Sequence, residues 1–373
     1  MNKRSLIFSL ILSSFLCNKT FAELKSTEIG NSIEKSYQKK IKQESNLLEE
    51  SFSPYGEVGT IFTIYGNSGK YKTATAHPML YLDYTFTPQW SLFFEWNRLS
   101  NIYGGEYEKN SNKANHDFSV PKGHFEYTHK NFFDTKAIWR TQIGARQTNF
   151  FKSSDDKYWT WISSSLDFYK YFPKTDNFEV LQFAIQPLYF YGSFVKSNPK
   201  GHMNHAALNL LTQFKIYQDF RFQFNGYLSK EWYNGDFKVD KKEEMNYFAI
   251  VSWIEYSKNI YQFNEKTNLQ FNFATGFDPY IFTNNSEKGW KPTFWIIDHG
   301  YGWLWPTKLD DDKNYSNMFN AFVLPQLKLT YNHSQDLQMD LFVQVKYSNQ
   351  VWGSSEKDWK LQPQGGIGIT YKF

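Results

Sequence analysis

Alternation between apolar and polar positions is clearest at the C-terminal end of the chain, from Lys357 to Phe373. The apolar side carries Trp359, Leu361, Pro363, Gly365, Ile367, Ile369, Tyr371 and Phe373, whereas lysine, glutamine, glycine or threonine fills the positions between them. A period of two residues predicts a β-strand with one apolar face. Because the apolar face is aromatic at both ends and aliphatic between, the strand has the profile of a segment that crosses a bilayer.

Several earlier segments alternate in the same way and are predicted strands of the same kind. Phe220–Phe224 alternates regularly, and Leu337–Val345 does so with Phe342 as its exception. The faces predicted to contact lipid carry Leu181, Phe183, Ile185, Tyr189, Phe220, Phe222, Phe224, Leu337, Met339, Leu341, Val343 and Val345. Near Ile61 and in residues 247–256 both faces are apolar, so the pattern assigns neither face to lipid.

Short turns alternate with longer polar connections. Six short turns are predicted, at Thr87–Gln89, Asn131–Lys136, Pro173–Asn177, Gln218–Asp219, Lys258–Asn259 and Ser334–Asp336. Together with seven longer loops they join about fourteen strands, which predicts an all-β fold: a transmembrane antiparallel up-and-down β-barrel with both termini on the periplasmic side. The strand count is open by one hairpin, because Phe294–Ile297 and Tyr301–Trp305 in the sixth loop form either a loop hairpin or two further strands.

The N-terminus has the three parts of a secretory signal peptide. Lys3 and Arg4 supply the positive charge, Leu6–Leu16 the apolar stretch and Thr20–Ala22 the cleavage site. We therefore predict that residues 1–22 are removed and that the remainder is exported. Loss of three basic residues and no acid lowers the net charge from +4 to +1, so the charge gives no indication of nucleic-acid binding.

The single cysteine, Cys17, lies at the end of the apolar stretch and raises the alternative of a lipoprotein signal. Such a signal needs a small residue where this chain has Leu16, so ordinary cleavage is favoured. The mature chain then contains no cysteine, which excludes disulfides, thiolate catalysis and cysteine metal ligands.

A charged leader, residues 23–55, precedes the predicted barrel at residues 56–373. Ile29, Ile33, Tyr37 and Ile41 are spaced by four, which predicts a short amphipathic helix with a narrow apolar stripe. The leader is either a periplasmic tether or partner-binding arm, or a solvated segment, and the narrow stripe favours the solvated segment.

Aromatic residues are abundant, with 13 Trp, 26 Tyr and 36 Phe in a chain whose mean hydropathy is −0.61. Beyond the signal peptide the chain has no run of about 18 apolar residues, which excludes a bundle of membrane-spanning helices. A barrel with aromatic girdles suits this composition, because about half of its residues face lipid and half face water. A secreted soluble sheet, such as a lectin-like fold, would need fewer aromatics on its exposed face.

The polar faces of the predicted strands carry charges of both signs. The predicted pore-lining acids are Asp83, Glu95, Glu126, Asp167, Glu231, Glu255 and Asp340, and the bases are Arg140, Arg146, Lys215, Arg221, Lys328, Lys346 and Lys360. Equal numbers predict weak ion selectivity, although segregated charges would create a transverse field. We expect a barrel of about fourteen strands to be too wide for side chains to fill, so that these residues are solvated, with some of them paired in salt bridges.

Two stretches, with the alternation of short turns and long loops, resemble a known family. Asp219–Ser229 (DFRFQFNGYLS) and Gly365–Phe373 (GGIGITYKF) are similar to segments of the OmpG-type monomeric porins and their oligogalacturonate-porin relatives. The resemblance covers roughly residues 56–373. It implies a monomeric outer-membrane porin, without cofactor or metal, for passive diffusion of ions and small hydrophilic solutes such as saccharides.

The resemblance also implies partners and a gate. The expected partners are outer-membrane lipid, the diffusing solutes and the barrel assembly machinery, which would recognise the strand ending at Phe373; no nucleic acid is expected. OmpG-type porins are gated by a long sixth loop that responds to pH through histidines, and the longest loop here, Thr283–Asn314, contains His299. His299 alternatively caps a turn beside Gly300. Oligogalacturonate porins line their pores with basic residues, and the balanced charges argue against that subtype.

The main alternative is an outer-membrane barrel enzyme, such as a phospholipase-like hydrolase. That chemistry needs a histidine and a serine on one outward face. His333 and Ser334 are adjacent and would point to opposite faces of a strand, and the pair His124 and Glu126 lacks a serine. The other histidine pair, at positions 202 and 205, has metal-ligand spacing without a matched carboxylate. The sequence therefore favours a porin over an enzyme.

Overall fold

The computed structural model describes residues 52–66, 74–103, 118–150, 157–194, 201–217, 219–235, 243–284, 288–297, 301–308, 312–349 and 359–373. The strands are β1 Tyr55–Tyr65, β2 Ala74–Thr85, β3 Trp90–Tyr103, β4 Phe118–Asn131, β5 Ile138–Phe150, β6 Lys157–Asp167, β7 Phe178–Phe194, β8 Gly201–Ile216, β9 Phe220–Gly235, β10 Glu244–Asn264, β11 Thr267–Thr283, β12 Trp290–Ile297, β13 Tyr301–Lys308, β14 Asn317–Asn332, β15 Leu337–Ser348 and β16 Lys360–Lys372. Two short 3-10 helices, Phe132–Asp134 and Tyr169–Tyr171, lie in turns. No helix of the described residues is long and apolar enough to span a membrane.

Fourteen strands close into one antiparallel barrel. β11 pairs with β14, because β12 and β13 form a separate two-stranded hairpin within the connection between them. β1 pairs with β16 and closes the barrel, from Glu57 opposite Lys372 to Tyr65 opposite Gln364. The predicted fold class and strand number are confirmed, and the sixth loop contains a loop hairpin rather than two further barrel strands.

The two ends of the barrel differ in the length of their connections. The short turns lie at one end, called the turn end below, together with the start of β1 and the end of β16, where the Gly56 amide donates to the Phe373 carbonyl at 2.8 Å. The longer connections lie at the opposite end, called the loop end. The β12–β13 hairpin belongs to the loop end, and β13 lies beside β8 there.

The predicted turn at Lys258–Asn259 is wrong. β10 continues to Asn264, and the turn to β11 lies at residues 265–266. The β10–β11 register shifts between Asn259 and Tyr261, so a β-bulge interrupts the alternation where the sequence is polar. A bulge and a turn leave the same local break in a period of two residues, which explains the error.

The outward side of the barrel is apolar and exposed. Its exposed aliphatic and aromatic side chains include Phe62, Leu80, Phe94, Phe125, Ile143, Ile162, Ile185, Leu208, Phe224, Leu228, Phe248, Ile254, Val343, Leu361, Ile367 and Ile369. In contrast, the side chains that alternate with them point inward and are largely buried, and many of these are polar. The structure thus has an apolar outer surface around a partly polar interior.

Leu181 is an exception to the predicted lipid-facing set. A register shift between Val180 and Gln182 marks a bulge in β7, and Leu181 is fully buried in a cluster with Ile138, Tyr169 and Val180 near the turn end. The bulge places two successive residues, Val180 and Leu181, in the same cluster, which alternation does not predict.

Candidate functional site: the inner wall of the barrel

All fourteen charged residues predicted to line the lumen lie on the inward side of their strands. Seven are buried, namely Glu95, Glu126, Arg140, Asp167, Glu231, Glu255 and Lys346. The other seven, Asp83, Arg146, Lys215, Arg221, Lys328, Asp340 and Lys360, are partly exposed. Their role as the lining of a conducting path stays a prediction.

Part of the inner wall is apolar and packed rather than polar and solvated. An apolar cluster inside the barrel extends from Trp159 and Trp161 of β6 to Phe322 and Leu324 of β14. Long aromatic and methionine side chains at the inward positions of these strands pack against one another and are buried. Inward side chains therefore cover one another along this part of the wall, while a water-filled lumen beyond them stays a prediction. The cluster also explains why both faces of residues 247–256 are apolar.

One ring of this cluster lies flat against the wall because its neighbour is a glycine. A Cβ atom at Gly144 would lie 2.1 Å from the Trp161 indole, so only glycine leaves space for the ring there. The indole nitrogen of Trp161 also donates a hydrogen bond to Gln142 Oε1 at 2.9 Å. Gly144 on β5 therefore gives the Trp161 ring of β6 its place against the wall.

A set of ion pairs follows β3 to β6, and we call it the charged wall. It consists of Glu95, Lys122, Glu126, Arg140 and Asp167. Lys122 Nζ lies 3.0 Å from Glu95 Oε1, and the guanidinium of Arg140 lies 4.0 Å from Glu126 and 3.7 Å from Asp167. Each charge therefore has an opposite charge beside it, as predicted for some of the inward residues.

The charged wall continues toward β1 through uncharged groups. The Asn97 amide nitrogen donates to the Glu95 carboxylate, and the Asn97 side-chain oxygen accepts a hydrogen bond from His77 Nε2 at 3.0 Å. His77 Nδ1 lies 3.4 Å from the Tyr65 hydroxyl. Together with Lys122, these side chains connect four adjacent strands, β1 to β4. The positions of charged residues in the sequence do not predict a role for Asn97, His77 or Tyr65, because the register of the strands determines their partners.

A second cluster lies fully inside the barrel on β8 to β10. His205 Nδ1 is 3.1 Å from Glu231 Oε1, the Tyr233 hydroxyl donates to the other oxygen of Glu231, and the Tyr247 hydroxyl lies 3.3 Å from the His205 ring. His205 therefore has a carboxylate partner, which its sequence neighbours did not reveal. His202 lies apart from this cluster and contacts Asn234 at 3.0 Å.

The opposite side of the wall carries a row of four side-chain amides that begins at a serine hydroxyl. Ser257, Asn272, Gln326, Gln344 and Gln364 stand directly opposite one another on β10, β11, β14, β15 and β16, and we call this row the amide ladder. The Ser257 hydroxyl donates to Asn272 at 2.8 Å, Asn272 donates to Gln326 at 2.7 Å and Gln326 donates to Gln344 at 2.6 Å. Gln344 then donates to Gln364, which donates to Gln362 at 3.0 Å.

The amide ladder crosses the wall obliquely. Strands are spaced by about 4.8 Å and tilt by about 40°, so each step to the next strand rises by about 3 Å along the barrel. The row begins at Ser257, on the turn-end part of β10, and reaches Gln364 near the loop-end start of β16. Polar side chains therefore extend from one half of the barrel to the other.

The fourteen predicted charges are unevenly distributed around the barrel. β2 to β6 carry four of the acids and two of the bases, whereas β14 to β16 carry Lys328, Lys346 and Lys360 with the single acid Asp340. β8 to β10 carry two of each. Lys122, the partner of Glu95, is a third base on β2 to β6, so charges nearly balance there, whereas lysines are in excess on β14 to β16. Such an asymmetry would produce a transverse field.

The residues considered for enzyme chemistry do not come together. His333 and Ser334 lie in the exposed turn between β14 and β15, and His124 is buried and stacked on Phe93. Within the described ranges, no group of three or more His, Cys, Asp or Glu side chains is placed to hold a metal. His299 lies outside the described residues, as do the signal peptide and residues 23–51 of the leader.

No known protein family matches the sequence, and no curated protein matches it either. Similar solved structures include a bacterial polysaccharide outer membrane secretin (9% identity, TM-score 0.36, covering 85% of this chain and 98% of that one). They also include the NanC porin (11%, 0.32, 85% and 100%) and the KdgM porin in complex with disordered oligogalacturonate (9%, 0.27, 86% and 99%). At these identities and TM-scores the comparisons carry no argument about function, which is argued below from this chain's own residues.

Proposed function

We propose that this protein is an outer-membrane porin, a non-enzymatic channel for passive diffusion of ions and small hydrophilic solutes. The observation that carries the proposal is the closed barrel with an apolar outer surface and polar rows on its inner wall. A bilayer offers no hydrogen-bond partners, so a β-sheet can cross it only when closure pairs every strand edge. The exposed apolar side chains are then solvated by lipid rather than by water.

The apolar cluster on the inner wall would narrow the proposed channel. Buried aromatic side chains on β6 to β14 occupy space that would otherwise hold water, and the polar path that remains follows the charged wall and the amide ladder. We therefore propose that small solutes pass along these polar rows. The OmpG-type subfamily, the monomeric state and the assembly signal at Phe373 are parts of the same proposal.

The test is single-channel current of the refolded mature chain in a planar bilayer. Discrete, stable conductance steps support the porin, and Trp253→Ala should enlarge the steps because it removes a buried ring from the apolar cluster. Ile254→Ala is the matched control, since Ile254 is the exposed neighbour on the outward side and its loss should leave conductance unchanged. Silence from a protein that migrates as a folded barrel on an unboiled gel would overturn the proposal.

The sixth loop is proposed as a gate of this channel. Its hairpin, β12 and β13, lies at the loop end and reaches β8 from the β11 side of the barrel. Deletion of residues 289–310 should remove spontaneous closures without lowering the open conductance. Closures that persist in the deletion variant would contradict the gate while leaving the porin intact.

A further inference from the structure

The amide ladder ends at a group that lacks a partner. Its donors all point in one direction, from β10 toward β16, and the last acceptor is Gln362 Oε1. Gln362 is fully buried, and its Nε2 makes no hydrogen bond. Burying a donor without an acceptor lowers stability by about 1–3 kcal/mol. This end of the ladder is therefore suited to an acceptor atom that a bound ligand supplies.

The residue directly opposite Gln362 is a buried lysine. Lys346 on β15 pairs with Gln362 on β16, and its side chain is 4% exposed. Its Nζ lies over the Phe322 ring, 5.5 Å from the ring centroid. A cation–π contact offsets only part of the cost of removing an ammonium from water, and no described carboxylate lies within ion-pair distance of Lys346.

The orientation of the ladder strengthens this end as a site for negative charge. Hydrogen bonds aligned head to tail polarise one another, and here the positive end of the row is the Gln362 amide. The ammonium of Lys346 adds a full charge beside it, and Lys360 lies on the same inward face, two residues before Gln362. Both buried groups lie close to the loop end, near the end of β15 and the start of β16.

From these contacts we propose that Lys346 and Gln362 form a binding site for a small oxyanion, a carboxylate or a phosphate, on the positive side of the inner wall. One oxygen accepts a hydrogen bond from Gln362 Nε2, and another pairs with the Lys346 ammonium. An oxyanion fits because it presents two acceptor oxygens and a negative charge to two adjacent donors. The inference rests on the proposed function, because it assigns one class of solute to the proposed channel.

The binding test uses the folded barrel in detergent and does not depend on conduction. Sodium acetate and, separately, sodium phosphate are titrated at constant ionic strength against sodium chloride, and the unfolding midpoint is read from heat-modifiable migration on gels. A ligand that binds only the folded state raises the midpoint. We expect a rise for the natural sequence and for the control Lys328→Met, another inward lysine, and an apparent affinity at least about tenfold weaker for Lys346→Met.

Two further variants keep the test decisive if Lys346→Met assembles poorly. Lys346→Arg retains the charge and should retain the rise, whereas Gln362→Leu retains the lysine and should weaken binding because the second donor is lost. Equal rises in all variants, or no rise in the natural sequence with either anion, would overturn the site. A response to only one of the two salts would identify which oxyanion the site accepts.

Conduction separates this inference from the proposed porin. If the natural protein conducts but Lys346→Met leaves both anion binding and the reversal potential in a salt gradient unchanged, the site is wrong and the porin stands. If anion binding depends on Lys346 but the protein passes no current, the site stands and the porin is wrong.

Discussion

The charged wall and the amide ladder occupy opposite parts of the same barrel and keep buried polar groups by different means. In the charged wall, Arg140 lies between Glu126 and Asp167, and Lys122 beside Glu95, so fixed charges compensate one another within each group. In the amide ladder, neutral groups satisfy one another in a single direction and leave the ladder's end next to Lys346. The difference shows that equal totals of acids and bases do not make a uniform wall: one side is locally neutralised, and the other retains a directed positive end.

The largest expected effect comes from removing the central charge of the charged wall. Arg140→Met leaves Glu126 and Asp167 buried without their shared cation, which should lower the free energy of unfolding by about 3–5 kcal/mol. The midpoint of the heat-modifiable gel shift measures this. Arg146→Met is the control, because Arg146 is partly exposed and stacks on Trp159, so it should cost much less. Equal losses for both variants would contradict the compensated wall.

The next largest effect is expected from a charge placed on the outward face of β15 instead of the inward face that carries the ladder. Leu341→Arg places a charge on the outward side near the middle of the strand, which should cost about 2–4 kcal/mol in a bilayer. Gln338→Arg, on the inward side near Asp340, should assemble normally. Yield of folded barrel in lipid vesicles compares the two, and equal tolerance would mean that the outward surface does not contact lipid.

A smaller effect is expected within the ladder itself. Gln344→Leu leaves the Gln326 donor and the Gln364 acceptor without their partner and should cost about 1–3 kcal/mol, less than Arg140→Met. Urea midpoints of the two variants can be compared with Val343→Leu, a change on the outward side of the same strand. A loss for Gln344→Leu that exceeds the loss for Arg140→Met would reverse the energetic ranking of the two regions.

The smallest effect concerns ion selectivity. Replacing both Glu95 and Lys122 with glutamine should leave the reversal potential nearly unchanged, because the two charges compensate each other. Lys346→Gln should move the reversal potential toward cations, because no described carboxylate compensates that lysine. A larger shift from the double variant than from Lys346→Gln would contradict local neutralisation.

Sequence periodicity predicts the architecture well because the barrel has two chemically different faces. The alternation in Leu337–Val345 and at the C-terminus gives the correct outward residues, and even the exception Phe342 proves to be inward and buried. Periodicity fails at bulges, as at Leu181 and at the false turn Lys258–Asn259, because one extra residue reverses the faces without changing composition.

The candidate site is predictable only in part. The inward charges follow from alternation, but their partners depend on which residues the register places opposite one another. Gln326, Gln344 and Gln364 are far apart in sequence, and only the pairing of β14, β15 and β16 brings their amides together. The apolar cluster also depends on which inward side chains the register places beside one another, and a count of strands does not determine this.

The most direct test of the account is whether a solute path follows the polar inner wall. The mature chain, predicted to lack cysteine, is given a single Gln344→Cys change and recorded in a planar bilayer while a charged, membrane-impermeant thiol reagent is added. We predict a stepwise, irreversible fall in current for Gln344→Cys and no change for Val343→Cys on the outward face. A conducting Gln344→Cys channel that the reagent leaves unaffected would contradict the account.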